Sequence, residues 1–413
     1  MTTWLSSRIG ERWLFWCLVT YAVNQTGMNL LRPMVSYRAL DLGVDPASLG
    51  LLSASFAIAP LIVALRIGRW IDAIGERPFI LAGTVVMGVA GLGLAAAGEA
   101  AWIFVLFALL GLGHLMITVA VQGMVARGSD ERSYDARFAA LTFTGSVGQL
   151  GGPIIAGLVA GQGSPEETGR ALMVGGLVEL SAVLAILMIR SPAAERQVRG
   201  AVRAKGPSLA SILRTPGVLR AIVVSTTVLS AIDIMVIYLP ALGEERGWTA
   251  SLVGLLLALR ASASMLSRLA LGPASRRFSR KSLLTWSMVV SAISLVAIPL
   301  AGPVPFMAVL MLTSGAGLGI GQPLSLSWIA SLAAPGARAT ALSVRLMGNR
   351  VGQVALPVLA GTMALTAGAA GVLGVTGLVV GLSLALVYGG LGRKPAATTP
   401  TTTSTTTTGS GPA

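Results

Sequence analysis

The sequence predicts an all-α membrane protein: twelve transmembrane helices arranged as two pseudo-symmetric six-helix bundles. Three observations carry that prediction. First, 11% of the residues are charged and 54% are hydrophobic, too few charges to keep the surface of a soluble chain of 413 residues wet. Second, the apolar residues gather into about twelve windows of ~20 residues, the length that crosses a ~30 Å hydrocarbon core. Third, the chain repeats itself. "GSVGQLGGPIIAG" at 145–157 returns as "NRVGQVALPVLAG" at 349–361, a displacement of 204 residues.

The apolar windows fall near 13–33, 49–66, 79–97, 101–124, 138–160, 169–190, 217–240, 250–270, 283–301, 305–332, 341–364 and 370–391. Each is expected to be helical, because a backbone polar group in lipid must find its partner within its own segment. Arg8 and Arg12 ahead of the first window imitate a signal peptide. That run is long, contains Asn24 and Gln25 and lacks a small-residue cleavage site, so it reads as the first span. The fourth window is rich in glycine before His114, the chain's single histidine. Residues 1–190 form the first bundle, 191–216 a basic cytoplasmic linker, and 217–391 the second bundle. The Thr-rich tail 392–413 has too few apolar residues to pack and is expected to be disordered.

The net charge of +14 is a topology signal rather than a nucleic-acid footprint. With both ends on one side, twenty-four of the 30 Lys and Arg residues fall on the termini and the loops of that side. Four fall on the opposite loops: Arg32, Arg38, Arg170 and Arg246. Basic loops stay in the cytoplasm, so both termini are placed there, in a bacterial inner or plasma membrane. Cys17 stands alone and forms no intramolecular disulfide.

The 204-residue offset extends well beyond the quoted stretches. Gly50 answers Gly254, Gly68 answers Gly272, and Gly111 and Gly113 answer Gly315 and Gly317. Gly148, Gln149, Pro153, Ala156 and Gly157 answer Gly352, Gln353, Pro357, Ala360 and Gly361. A direct repeat implies halves related by an axis along the membrane normal, with a binding site between them near the midplane.

Between the second and third windows lies "GRWIDAIGERP" at 68–78. With the half-length repeat it resembles the cytoplasmic signature of the major facilitator superfamily, at Gly68, Asp72, Gly75 and Arg77. The resemblance implies the major facilitator fold, and that this loop locks the halves in an outward-facing state by charge contacts between helices. Ala73 and Glu76 depart from the pattern, standing at places that are usually basic. The second-half loop "GPASRRFSRK" keeps Gly272 and Lys281 but has Arg276 where the aspartate would be. Gly68 also has a packing rationale, since small residues let transmembrane helices approach. In the fifth window, "GQLGGPIIAG" resembles the glycine–proline signature of proton-driven drug antiporters at Gly148, Gly152, Pro153 and Gly157. The same residues form a GxxxG face and a proline kink, which is ordinary helix-packing chemistry.

An ionisable group near the bilayer centre is a functional candidate by default. Asp233, Glu179 and His114 are the candidates for proton coupling. Arg260 and Arg350 lie deep in the eighth and eleventh windows, and each needs a carboxylate, water or an anionic solute. Asp233 could pair with one of them but not neutralise both, which points to a positive site and an anionic group on the solute. Asn24, Gln25, Asn29, Tyr238 and Gln322 are candidates for neutral hydrogen bonds to a ligand. Arg32, near the outer end of the first window, is either a gate or a snorkelling residue.

No nucleotide-binding loop, metal-ligand cluster or nucleophile motif is present, so neither an enzyme, a cofactor nor a metal is expected. The expected activity is secondary active transport of a small organic solute by alternating access, as a monomer in contact with membrane lipid. Proton-coupled efflux is the first expectation, with proton-coupled uptake of an organic anion and lipid flipping as the alternatives. No nucleic-acid partner is expected.

Overall fold

The computed structural model describes residues 2–129, 134–189, 212–332 and 338–391. The linker segment 191–211 and the tail 392–413 lie outside the described residues. The first half holds α1 (Thr2–Asp41), α2 (Ser48–Ile74), α3 (Glu76–Ala96), α4 (Ala100–Arg127), α5 (Tyr134–Ala160) and α6 (Pro165–Met188). In the second half are α7 (Val218–Glu245), α8 (Ala250–Arg277), α9 (Arg280–Ala297) and α10 (Val304–Leu332). The final run, Arg338–Leu391, is broken at Gly368, whose φ of 61° leaves the helical region. It therefore holds α11 (338–367) and α12 (369–391). Nine stretches among the described residues are long and apolar enough to cross a membrane, the last of them, Val344–Ala385, containing both α11 and α12.

Local chemistry explains where these helices begin and end. The sequence "SPEE" builds a capping box at α6: Ser164 Oγ accepts from the Glu167 amide, and Glu167 Oε2 accepts from the amides of Gln162, Gly163 and Ser164. Before α2, the Asp45 carboxylate accepts from the Ser48 hydroxyl and amide, and these bonds hold it below the usual carboxylate range. Glu245 at the end of α7 accepts from the Ala369 amide at 2.8 Å, so a distant carboxylate caps α12. The first helix passes through Pro33 and runs eight residues beyond the expected end of its span.

The loops at 42–47, 97–99, 161–164, 246–249 and 301–303 define an arginine-poor face. The few arginines there serve the ends of helices. Arg38 donates to the carbonyl of Ala97 after α3 at 2.8 Å, and Arg246 donates to that of Ala301. Positions 97 and 301 are related by the repeat. Cations at helix C-termini complement the exposed carbonyls and the helix dipole.

Each half packs around its own helix pairs. In the first, α1 lies against α5 and α6, α3 against α4 and α6, and α2 against α4. The second half packs α8 on α10 and α9 on α10 and the final run. The repeat is visible at atomic detail. A Cβ at Gly113 would stand 2.7 Å from the Gly83 carbonyl, and one at Gly317 would stand 2.6 Å from that of Ser287, the position related to Gly83. Gly111 and Gly315 likewise press on the carbonyls of Phe56 and Arg260, which are related by the same offset.

Candidate functional site

Three arginines and one carboxylate converge where α1, α7, α8 and α11 meet. Arg32 of α1 pairs with Asp233 of α7 at 2.7 Å, across the two halves, with both side chains nearly buried. Gln353 of α11 donates to the other Asp233 oxygen at 2.7 Å and accepts from Arg350 at 3.0 Å. Arg260 of α8 is 4% exposed and lies in electrostatic reach of Asp233 and Arg32. The Nε atoms of Arg32 and Arg260 are buried without a hydrogen-bond partner. Arg32 also stacks over the Phe56 ring at 5.0 Å, and the His114 ring lies 6.1 Å from that ring. Arg260 is ten residues into α8, about 15 Å at the helical rise, so the cluster sits near mid-membrane.

The pairing differs from the sequence expectation. Asp233 takes Arg32 rather than Arg260 or Arg350, because α1 and α7 lie against each other at the junction of the halves. Arg32 is therefore a cross-half contact.

His114 borders this cluster through Phe56, and the other candidate residues make separate contacts. Asn24 donates to Glu179 at 2.6 Å and faces Thr84, so Glu179 is enclosed among α1, α3 and α6 within the first half. Gln25 donates to the Tyr21 hydroxyl, and Asn29 donates to the Gln25 carbonyl along α1. His114 contacts Thr118 on its own helix at 3.5 Å. Gln322 of α10 donates to the Ser225 carbonyl and accepts from Arg345 at 2.7 Å. The Tyr238 hydroxyl lies 3.4 Å from where a Cβ at Gly361 would stand, at the arginine-poor end.

The glycine signature of α5 serves two contacts. Gly148 and Gly152 receive α1 at Gln25, Thr26 and Asn29. Farther along, a Cβ on Gly254 of α8 would stand 2.6 Å from the Pro153 carbonyl and 2.9 Å from Gly157 Cα. Ser251 closes the same crossing by donating to the Gly157 carbonyl at 2.7 Å. The related crossing joins Gly50 of α2 to Pro357 and Gly361 of α11. Both crossings lie at the arginine-poor face.

Gly75 alone links α2 to α3. It takes φ 103°, which suits glycine, and closes α2 by donating to the Ile71 carbonyl. Arg77 donates to the Leu187 carbonyl at the end of α6. A Cβ at Gly68 would meet open space, so close helix approach is not what a glycine does there. The side chain of Asp72 lies outside the described residues.

A sequence model of the Major Facilitator Superfamily matches residues 17–249 and 226–409. The chain belongs to that superfamily. Solved structures agree on the fold of this superfamily member. A mutant form of the nucleoside transporter NupG superposes with a TM-score of 0.74 at 15% identity, covering 91% of this chain and 98% of that one. A bacterial homologue of the human lysosomal transporter Spinster, in an inward-facing and occupied conformation, superposes with a TM-score of 0.73 at 14% identity, covering 91% and 95%. No curated protein matches the chain in sequence. The superfamily assignment makes this chain a multi-pass membrane transporter.

Two features of this transporter escaped the sequence reading. Arg345, Asn349 and Gln353 are each four residues apart, all buried on one face of α11. They meet Gln322, then Ser225 and Thr226, then Asp233. The i, i+4, i+8 spacing was available, but Arg345, only four residues inside its window, counts with the basic charges of the arginine-rich side. Glu76, the departure from the loop signature, is buried against Arg127 of α4. A repeat-based comparison cannot find such a pair, because its two members lie within one half.

Proposed function

We propose that the protein is a secondary active transporter that carries a small organic anion together with a proton, by alternating access about the Arg32–Asp233 contact. The observation that carries this reading is the charge balance of the central cluster: Arg32, Arg260 and Arg350 against Asp233. An anionic group on the solute supplies the missing negative charge and the missing acceptors for the unpartnered Nε atoms.

The pairing also bears on the direction of coupling. The Asp233 carboxylate and a solute anion compete for Arg32. Protonation of Asp233 releases Arg32, so proton and anion bind together, and by linkage each raises the affinity for the other. That favours co-transport over exchange, and therefore the uptake alternative over proton-coupled efflux. Exchange of a cationic solute would need a free carboxylate, and Asp233 is already held by Arg32 and Gln353. Both cross-half glycine crossings close the arginine-poor face, which the charge bias assigns to the outside. This supports an inward-facing state, the one named for the Spinster homologue.

The test is transport in proteoliposomes with a trapped pH dye and membrane-impermeant organic sulfonates and phosphates as solutes. An inward solute gradient is expected to acidify the lumen. Asp233→Asn, a mimic of the protonated acid, is expected to keep solute counterflow and lose the pH change. Persistence of the pH change in Asp233→Asn would remove Asp233 from coupling and pass the role to Glu179 or His114. Alkalinisation by the solute would replace co-transport with exchange.

A further inference from the structure

A positively charged cavity lies between the halves, about 12 Å closer to the arginine-rich face than the central cluster, judged from the eight residues that separate Arg260 from Arg268 on α8. It encloses ≈ 490 Å³ among α5, α8, α10 and α11. Its polar lining is Thr142, Ser146, Arg268, Gln322 and Arg345, with no acidic side chain among the lining residues. Arg268 donates to Ser146 Oγ and to the Gly319 carbonyl, both at 3.1 Å. Arg345 is 6% exposed, and its Nε is buried with no hydrogen-bond partner. A buried guanidinium without a carboxylate is costly unless something anionic visits it.

The rest of the wall is apolar and faces outward. Phe143 of α5, Leu269 of α8 and Leu326 of α10 line the cavity and are 44%, 58% and 41% exposed. The cavity opens there because α5 and α8 diverge. At the arginine-poor end their backbones touch at Gly157 and Gly254. At this end the long Arg268 side chain spans the gap to Ser146. A polar head and an apolar flank in one cavity fit one kind of molecule.

We propose that this cavity is a binding subsite for amphipathic organic anions, an apolar body carrying a carboxylate, sulfonate or phosphate head, which enter from the membrane side between α5 and α8 with Arg268 and Arg345 holding the head. The proposal draws on the anionic-solute reading for what happens next, since the stripe Arg345–Asn349–Gln353 leads from this subsite to Asp233. Binding itself stands apart from that reading. The head can come from a free amphipathic solute or from an anionic lipid.

The experiment is photolabelling of the full-length protein in nanodiscs by a twelve-carbon fatty acid bearing a diazirine, with labelled peptides located by mass spectrometry. Label is expected on the α5 and α8 segments around Phe143 and Leu269. The corresponding diazirine alcohol is expected to label them at least fivefold less. Arg268→Gln with Arg345→Gln is expected to remove the acid's preference, while Arg268→Lys keeps most of it and shows that the fold tolerates change at this position. Arg350→Gln is expected to leave this labelling unchanged even where it abolishes transport, which separates the subsite from the central cluster. Phosphatidylglycerol in place of phosphatidylcholine displaces the label if a lipid head occupies the subsite, and leaves it in place if a free solute does. Equal labelling by acid and alcohol, or undiminished labelling of the double variant, overturns the proposal.

Discussion

The two crossings between the halves are the same at one end and different at the other. Gly157 against Gly254 joins α5 to α8, and Gly50 against Gly361 joins α2 to α11. Under the 204-residue offset these pairs exchange with one another, and in each the nearest obstacle is a carbonyl of Pro153 or Pro357. Toward the arginine-rich face the likeness ends. Arg268 of α8 corresponds to Ala64 of α2, and Ser146 of α5 corresponds to Arg350 of α11. One arginine fills the α5/α8 cleft, and the other turns inward to Gln353. Symmetry is kept where backbones touch and given up where the arginines stand.

The largest effect is expected midway between the crossings. Arg32→Ala or Asp233→Ala alone leaves an uncompensated buried charge, a cost of about 3–5 kcal/mol. Thermal unfolding in detergent should fall sharply in each single variant and recover in part in the double variant. Additive losses would mean that the pair is not coupled.

Next come the crossings themselves. Gly50→Leu and Gly254→Leu each force a side chain onto backbone that cannot yield. Overpacking of about 1–3 kcal/mol is expected to fall on the closed arginine-poor face, shifting the equilibrium toward the opposite state by roughly 5- to 150-fold. Thiol labelling from outside of a cysteine placed at Asn29, in a Cys17→Ala background, should rise alike in both variants. A response in one alone would break the equivalence of the two crossings.

The asymmetric ends differ in a graded way. Arg268→Ala removes charged hydrogen bonds of about 1.5–3 kcal/mol and should raise the apparent KM at least roughly tenfold by the same measure. Ala64→Ser, at the related position of α2, should leave KM within about twofold, since no charge is touched. An equally small effect is expected for Glu179→Gln. The amide keeps the Asn24 contact, so transport and stability should stay within about twofold. Loss of proton coupling in that variant would make Glu179 the coupling acid in place of Asp233.

The fold was legible because lipid simplifies the code. Each apolar window had to be a helix to satisfy its own backbone, and a repeated glycine–proline pattern had to mean repeated packing. The sequence alone therefore determined the helical class, the two-bundle symmetry, the short list of ionisable groups within the spans, and the positive character of the second half. Helix ends were less legible. The break at Gly368 falls in the expected gap between the last two windows, but its cap comes from Glu245, a residue more than a hundred positions away.

Only the tertiary structure decided which charges meet. Composition shows that one aspartate and several arginines are buried, but the partner depends on helical phase and on which helices touch. Asp233 pairs with Arg32 because α1 and α7 are neighbours across the halves, while Glu179 turns into the first bundle toward Asn24. Arg268 and Arg345 stand near the ends of their windows, where they count as topogenic charges, and line a cavity in the fold. The physical reason is the same in each case. Periodicity and hydropathy are properties of one helix, whereas a binding site belongs to the space between several.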